Sequence, residues 1–116
     1  MQDMAMKKKQ KILIEVMYKA DYCLPCFFMD AAVREVLPNY SDKVEYRRVD
    51  FMVGNGRDRF LELSQSLFGE EGVYKLCRVA PVLSLFIDGE LVFDAIPPRF
   101  ELVEAIEEAI AENGLV

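Results

Sequence analysis

Two cysteines separated by two residues stand near the start of the chain, in Cys23-Leu24-Pro25-Cys26. A pair of thiols at this spacing can exchange with disulfides, hold part of a metal site or form a small structural bridge. In disulfide exchange the thiolate is the nucleophile, so the reactivity of the pair depends on surroundings that lower the pKa of one sulfur. The elements flanking the pair therefore decide which chemistry it supports.

The sequence on either side of the pair predicts a strand followed by a helix. Lys11–Met17 is an apolar run of strand length, rich in β-branched residues. Pro25 stands where the first turn of a helix tolerates proline. Apolar residues then recur at helical spacing, namely Phe28, Ala31, Ala32 and Val36. The first helix is therefore expected over about Leu24–Leu37.

This arrangement places Cys23 at a helix N-terminus, where unpaired backbone N–H groups and the helix dipole stabilise negative charge. We therefore expect Cys23 to be the exposed, attacking thiol, with a pKa below that of a free cysteine. Cys26 lies one turn further into the helix and is expected to pack against the neighbouring structure. From there it would resolve a mixed disulfide formed on Cys23.

The other two uses of a cysteine pair fit less well. A structural zinc site takes four ligands, whereas the chain has three cysteines and no histidine. A metal would have to recruit Cys77 and a carboxylate, or be shared between two chains. A structural disulfide closing so short a loop would remove little entropy from the unfolded chain. We therefore expect no metal, and no cofactor beyond the disulfide of Cys23 and Cys26.

Length and composition predict one domain. The chain has 116 residues, of which 53% are hydrophobic, and we assign residues 11–116 to this domain and residues 1–10 to a flexible tail. The net charge of −6 argues against a nucleic-acid partner. No segment approaches the ~20 apolar residues of a membrane span, and the apolar run interrupted by Glu15 is too short for a signal peptide. With an odd number of cysteines, these features predict a cytoplasmic protein, which we expect to be a monomer without a membrane partner.

The rest of the chain predicts the order β-α-β-α-β-β-α. The expected elements after the first helix are a strand at Val44–Asp50, a turn at Gly54-Asn55-Gly56, a helix at Arg57–Phe68 closed by Gly69, a loop at Glu70–Gly72, strands at Val82–Ile87 and Glu90–Ile96 joined by Asp88-Gly89, and a helix from Phe100 to Asn113. Two parallel strands and an antiparallel pair imply an α/β fold with a mixed four-stranded sheet and helices on its faces.

Three segments of the chain together resemble the thioredoxin-like family. They are Cys23-Leu24-Pro25-Cys26 at the helix start, Val79-Ala80-Pro81 before the hairpin and Phe86-Ile87-Asp88-Gly89-Glu90 at its turn, and the resemblance runs from Lys11 to Asn113. It implies a three-layer thioredoxin-like fold and a divergent thiol–disulfide oxidoreductase. Such an enzyme exchanges the dithiol or disulfide of Cys23 and Cys26 with protein disulfides, and an upstream reductase recharges it.

The resemblance also implies a surface that binds the substrate protein. Pro81 matches the family's cis-proline, which would bring the backbone of Ala80 beside the disulfide to pair with an extended segment of a partner. Beside the cysteines, Tyr22, Leu24 and Pro25 are the expected contacts with that partner.

One departure from the family bears on proton transfer. Met17 stands where the family usually places a buried aspartate that moves a proton to or from the second cysteine. Proton transfer at Cys26 would then use water or a neighbouring side chain, with Lys19, Asp21 and Glu15 as the candidates.

Three predictions concern which side chains are buried. Leu24, Tyr22, Phe27 and Phe28 are expected to form an apolar rim around the cysteine pair. Of these, Phe28, two residues past Cys26, is expected to point toward the sheet, whereas Tyr22 is expected to lie on the surface. Cys77 is expected to be buried as a small hydrophobic residue.

A second function stays open beside the enzymatic one. The chain would then be a non-catalytic thioredoxin-fold module that binds other proteins, and its cysteine pair would be vestigial or would hold a metal.

Overall fold

The computed structural model describes residues 11–115, so the flexible tail expected at residues 1–10 lies outside the described part of the chain. In chain order the elements are strand β1 (Ile12–Tyr18), helix α1 (Leu24–Val36), a 3-10 turn (Leu37–Tyr40), strand β2 (Val44–Asp50), helix α2 (Gly54–Tyr74), strands β3 (Leu85–Ile87) and β4 (Glu90–Phe93), and helix α3 (Arg99–Glu112). The predicted order β-α-β-α-β-β-α is confirmed.

The sheet is mixed and four-stranded, as predicted, with the strand order β2-β1-β3-β4. β1 pairs with β2 in parallel and with β3 in antiparallel orientation, and β3 and β4 form the hairpin. The turn of this hairpin consists of Asp88 (φ 51°) and Gly89 (φ 85°), which supply the two positive φ angles of a type I′ turn. The central strand β1 leads directly to the cysteine pair.

Side chains alternate across β1 and separate two cores. Ile12, Ile14 and Val16 belong to the larger core, which also contains buried residues of α1 and α3. Met17 lies in the smaller core together with Leu63 of α2. The fold therefore has three layers, with α1 and α3 on one face of the sheet and α2 on the other.

A polar cluster fixes α1, which carries the cysteine pair, to the neighbouring strand β2. The buried carboxylate of Asp30 in α1 accepts a hydrogen bond from the hydroxyl of Tyr46 in β2. Arg34, one turn along α1, donates to the second carboxylate oxygen at 2.9 Å and lies 5.4 Å from the centre of the Tyr46 ring. Both oxygens of Asp30 are therefore paired, which makes its burial tolerable.

The environment of Tyr46 predicts a loss of stability in alkaline solution. Burial, and then the hydrogen bond and charge of Asp30, raise the pKa of Tyr46 far above its ordinary value of ~10. Above about pH 10 the unfolded chain loses this proton while the folded chain keeps it, so the free energy of unfolding falls as pH rises. We expect a decline of up to about 1.4 kcal/mol per pH unit from this group, measured by urea unfolding.

Tyr46→Phe removes the titrating hydroxyl and should make the alkaline decline shallower, after a loss of about 2 kcal/mol at neutral pH for the missing hydrogen bond to a charged group. Part of the decline should remain, because burial also raises the pKa of Tyr18 and of Tyr40. Tyr22→Phe, at an exposed position, is the control and should keep the wild-type slope. Equal slopes for wild type and Tyr46→Phe would contradict the prediction.

Helix α2 is longer than the sequence predicts. Gly54-Asn55-Gly56, expected as a turn, form its first residues. Gly56 packs on the end of β2, where a Cβ atom would overlap the carbonyl of Asp50. Gly69 (φ 76°) breaks the helical geometry as predicted, but the chain resumes it, so Glu70–Gly72 are helical and not a loop.

Strand β3 begins at Leu85 and not at Val82, because a turn follows Pro81. The backbone N–H and the hydroxyl of Ser84 donate to the carbonyl of Pro81 at 3.1 Å and 2.6 Å, and Leu83 adopts a φ of 76°. The Ala80–Pro81 peptide bond is trans, contrary to the cis bond that the resemblance implied. The chain changes direction within this turn instead.

Candidate active site

The cysteine pair lies at the start of α1, as the sequence predicts, and forms a disulfide. The Cα atoms of Cys23 and Cys26 are 5.2 Å apart. Cys23 is the N-cap residue of α1 and has an extended backbone, and Pro25 occupies the first turn, which needs no N–H from it. Strand β1 supplies the approach to the pair, and the helix start supplies its backbone amides.

The two sulfurs differ in exposure. Cys23 is partly exposed, and its Sγ accepts a hydrogen bond from the backbone N–H of Cys26 at 3.3 Å. Negative charge on this sulfur would be stabilised by that N–H and by the dipole of α1. Cys26 is fully buried (0% exposed), and its Sγ accepts a hydrogen bond from the backbone N–H of Lys19 at 3.4 Å. An incoming sulfur can therefore approach Cys23 more readily than Cys26.

Four exposed apolar residues lie beside the cysteine pair in the sequence. We call them the apolar rim, which consists of Tyr22, Leu24, Phe27 and Phe28, each more than half exposed. The exposure of Tyr22 (75%) agrees with the prediction. The prediction for Phe28 is wrong, since it is 54% exposed.

The helical phase of α1 explains the position of Phe28. The buried residues of α1 are Cys26, Met29, Asp30, Val33 and Val36. Because each residue turns the helix by about 100°, a side chain two positions past Cys26 points away from this buried face. Phe28 instead contacts the ring of Phe27 edge to face, with 5.9 Å between their centroids.

The segment expected to pair with a substrate backbone is only partly available. Ala80 is buried in the smaller core with Met17, and its N–H donates to the hydroxyl of Ser64 at 2.8 Å. This N–H is therefore occupied within the chain. Pro81 is exposed, and no hydrogen bond within the described residues joins it or Ala80 to the cysteine pair.

None of the side chains proposed for proton transfer to Cys26 makes a described hydrogen bond with it. Asp21 accepts a hydrogen bond from the hydroxyl of Tyr18 at 3.0 Å. Lys19 is exposed and reaches Cys26 through its backbone N–H. Glu15 is fully buried and bound by Arg59 of α2. Within residues 11–115 no carboxylate forms a described hydrogen bond with Cys26.

Glu15 and Arg59 form an ion pair that links β1 to α2, with a buried carboxylate and a partly exposed guanidinium group. Arg59 donates from Nε and Nη2 to the two carboxylate oxygens of Glu15, at 2.8 Å and 2.7 Å. These hydrogen bonds raise the pKa of Arg59 above its ordinary value. Arg59 and Ser64 were missed in the sequence, although a carboxylate inside an apolar strand indicates that a facing element supplies a cation.

Cys77 lies outside the pair. It is a free and exposed thiol, so the prediction of burial is wrong. Its backbone adopts a φ of 57° just after the turn that ends α2, where the chain runs over the surface. Among the described residues, no three cysteine or acidic side chains lie together in a way that would hold a metal ion. No helix in this part of the chain combines the length and apolar character of a membrane span.

Comparisons with known proteins agree with the geometry of the fold. No protein-family model and no curated protein matches the sequence. Among solved structures, thioredoxin O2 from Arabidopsis thaliana matches with a TM-score of 0.53 and 19% identity, over 85% of this chain and 75% of that one. Mitochondrial thioredoxin 3 from Saccharomyces cerevisiae matches with a TM-score of 0.51 and 18% identity, over 87% and 81%. The chain therefore has a thioredoxin-like fold.

Proposed function

We propose that this thioredoxin-fold chain is a thiol–disulfide oxidoreductase that exchanges the dithiol or disulfide of Cys23 and Cys26 with disulfides of other proteins. One observation carries the proposal: a partly exposed sulfur accepts a backbone N–H at a helix N-terminus, with a buried partner sulfur behind it. This arrangement favours an anionic, accessible Cys23 and a protected Cys26.

Reduction of a substrate proceeds in two exchanges. The thiolate of Cys23 attacks one sulfur of the substrate disulfide, the substrate S–S bond breaks, and the departing sulfur takes up a proton. Cys26, after losing its proton to water, then attacks the Sγ of Cys23 in the mixed disulfide. The Cys23–Cys26 bond forms, the second substrate sulfur leaves as a thiol, and two electrons have passed to the substrate. An upstream dithiol reductase returns the pair to the reduced state.

The apolar rim and the neighbouring Pro25 form the proposed docking surface for the substrate protein. Tyr22, Leu24 and Pro25 lie beside Cys23 and are exposed, so apolar side chains flanking a substrate disulfide can pack on them. Pro81 is exposed as well and remains a proposed contact. Ala80 is buried, and Ser64 already binds its N–H. Ala80 would therefore support the substrate-binding surface by packing beneath it, and its N–H would not bind the substrate.

We place this exchange in the cytoplasm, on a monomer. The exposed free thiol of Cys77 is suited to a reducing compartment, where it would not be driven into a disulfide.

The direct test is reduction of a disulfide-bonded test protein by dithiothreitol, with and without the purified chain. We expect faster reduction in its presence. We also expect the pH profile of Cys23 alkylation to give a pKa below the ~8.5 of a free cysteine. Cys77→Ser is the matched control and should keep the full rate, because Cys77 lies outside the pair.

A rate equal to that of dithiothreitol alone would contradict the proposal. The chain would then be better described as the non-catalytic binding module, which docks proteins on the same apolar rim. Elemental analysis of anaerobically purified protein would test the variant of that module in which the cysteines hold a metal.

A further inference from the structure

We infer that the backbone N–H of Lys19 is a catalytic group, which stabilises the thiolate of Cys26 whenever the disulfide opens or closes. The inference rests on the proposed exchange reaction and assigns a donor to its buried sulfur. The N–H lies 3.4 Å from the Sγ of Cys26 and therefore touches a reacting atom.

The need for such a donor follows from the burial of Cys26. When a reductant thiolate attacks the Sγ of Cys23, the Cys23–Cys26 bond breaks and Cys26 leaves with the electron pair. The negative charge then forms on a side chain that is fully buried. A buried charge without a hydrogen-bond donor is strongly disfavoured. The same charge is present when Cys26 attacks the mixed disulfide in the resolving step.

The acidic side chains nearest to the pair in sequence are hydrogen-bonded elsewhere. Glu15 is bound by Arg59, and Asp21 accepts from Tyr18. The carboxylate of Asp30 is also paired, to Tyr46 and to Arg34. Within residues 11–115, the N–H of Lys19 is the one donor described at the Sγ of Cys26.

The strand that precedes Lys19 is hydrogen-bonded on both sides, so the N–H of Lys19 is held in a fixed position. On one side, the N–H of Met17 donates to the carbonyl of Ser84 at 3.0 Å. On the other, the carbonyl of Tyr18 accepts from the N–H of Phe51 at 3.3 Å. A donor fixed in this way needs no reorganisation when charge develops on the sulfur, as in an oxyanion hole.

Replacing the Lys19 amide by an ester tests the inference, since it exchanges the N–H for an oxygen and keeps the side chain. We expect the rate of disulfide opening by dithiothreitol to fall about tenfold or more, the usual effect of losing a hydrogen bond to a charged group. In the Cys23→Ser background, the ester should also raise the pKa of Cys26. Circular dichroism and urea unfolding verify that the ester protein is folded.

A matched ester elsewhere separates the loss of the N–H from the chemical replacement itself. Ala95 is an exposed residue between β4 and α3, and an ester there should leave the opening rate unchanged. The Lys19 ester keeps the ammonium group, so that group cannot account for a loss. A Lys19 ester that opens the disulfide as fast as the Ala95 ester would overturn the inference.

A measurement without backbone replacement gives an independent test. In Cys23→Ser, the amide proton resonance of Lys19 should move with the ionisation of Cys26 when pH is raised, and by more than those of neighbouring amides. A Lys19 resonance that does not follow this titration would overturn the inference even if exchange activity is present. Conversely, a chain without exchange activity would overturn the proposed function. The titration of the Lys19 resonance could still be measured in that chain, so the two failures are distinguishable.

Discussion

Cys23→Ser is expected to reduce disulfide exchange to the rate of dithiothreitol alone. A serine hydroxyl is not ionised near neutral pH and cannot form a disulfide, so both the first attack and the mixed disulfide are lost. The buried Cys26 cannot substitute for it, since its side chain is not accessible to a protein substrate. The measurement is the initial rate of reduction of a disulfide-bonded test protein, with circular dichroism to show that the fold is intact.

Cys26→Ser is the matched variant, because it retains the attacking thiol and lacks the resolving one. It should form mixed disulfides with substrate proteins that persist without reductant and separate on non-reducing gels. Substrates trapped in this way would identify the partners that dock on the apolar rim. The assigned roles would be wrong if Cys23→Ser kept the full exchange rate. They would also be wrong if Cys23→Ser, and not Cys26→Ser, trapped mixed disulfides.

Arg59→Met is expected to produce the largest loss of stability among the single substitutions considered, about 3 kcal/mol. The substitution leaves Glu15 buried without its cation, because methionine fills part of the space but donates no hydrogen bond. Arg47 lies 3.9 Å from the Glu15 carboxylate and is too exposed to replace the two short hydrogen bonds. Urea unfolding should show a lower midpoint with an unchanged slope.

Two further variants test the cause of this loss. Glu62→Gln removes the exposed partner of Arg59 and should cost less than about 1 kcal/mol. The double substitution Glu15→Leu with Arg59→Met removes both charges and should recover most of the stability, since an apolar pair avoids the desolvation of the ions. A loss below about 1 kcal/mol in Arg59→Met would show that water reaches Glu15 and that its carboxylate is not buried in solution.

Local sequence signals predicted the parts of the fold that nearby residues determine. The β-branched run before the cysteines predicted β1, and Pro25 predicted the helix start that carries the pair. Asp88-Gly89 predicted the hairpin, because the two residues tolerate the positive φ angles that its turn requires. In each case the residue preferences that predict the element lie within a short segment, although β1 completes its hydrogen bonds with the distant strands β2 and β3.

Contacts between distant residues account for most of the wrong or missing predictions. Gly54-Asn55-Gly56 has the composition of a turn, but α2 begins there because Gly56 fits against the end of β2. Arg59 lies 44 residues from Glu15, so no local pattern reports their contact. Phe28 was assigned to the core from its position two residues past Cys26, whereas the inward position of Cys26 itself turns Phe28 away from the sheet.

The hairpin turn and the cysteine pair lie at opposite ends of β1. Asp88 binds Leu13 at the start of this strand. The N–H of Asp88 donates to the carbonyl of Leu13 at 2.8 Å, and the N–H of Leu13 donates to the carboxylate of Asp88 at 2.9 Å. The rise of a strand puts roughly 15–20 Å between that turn and the sulfurs. A protein attached to an electrode or a bead through the exposed Glu90 beside the turn would therefore present its Cys23–Cys26 disulfide to the surrounding medium, unobstructed by the support.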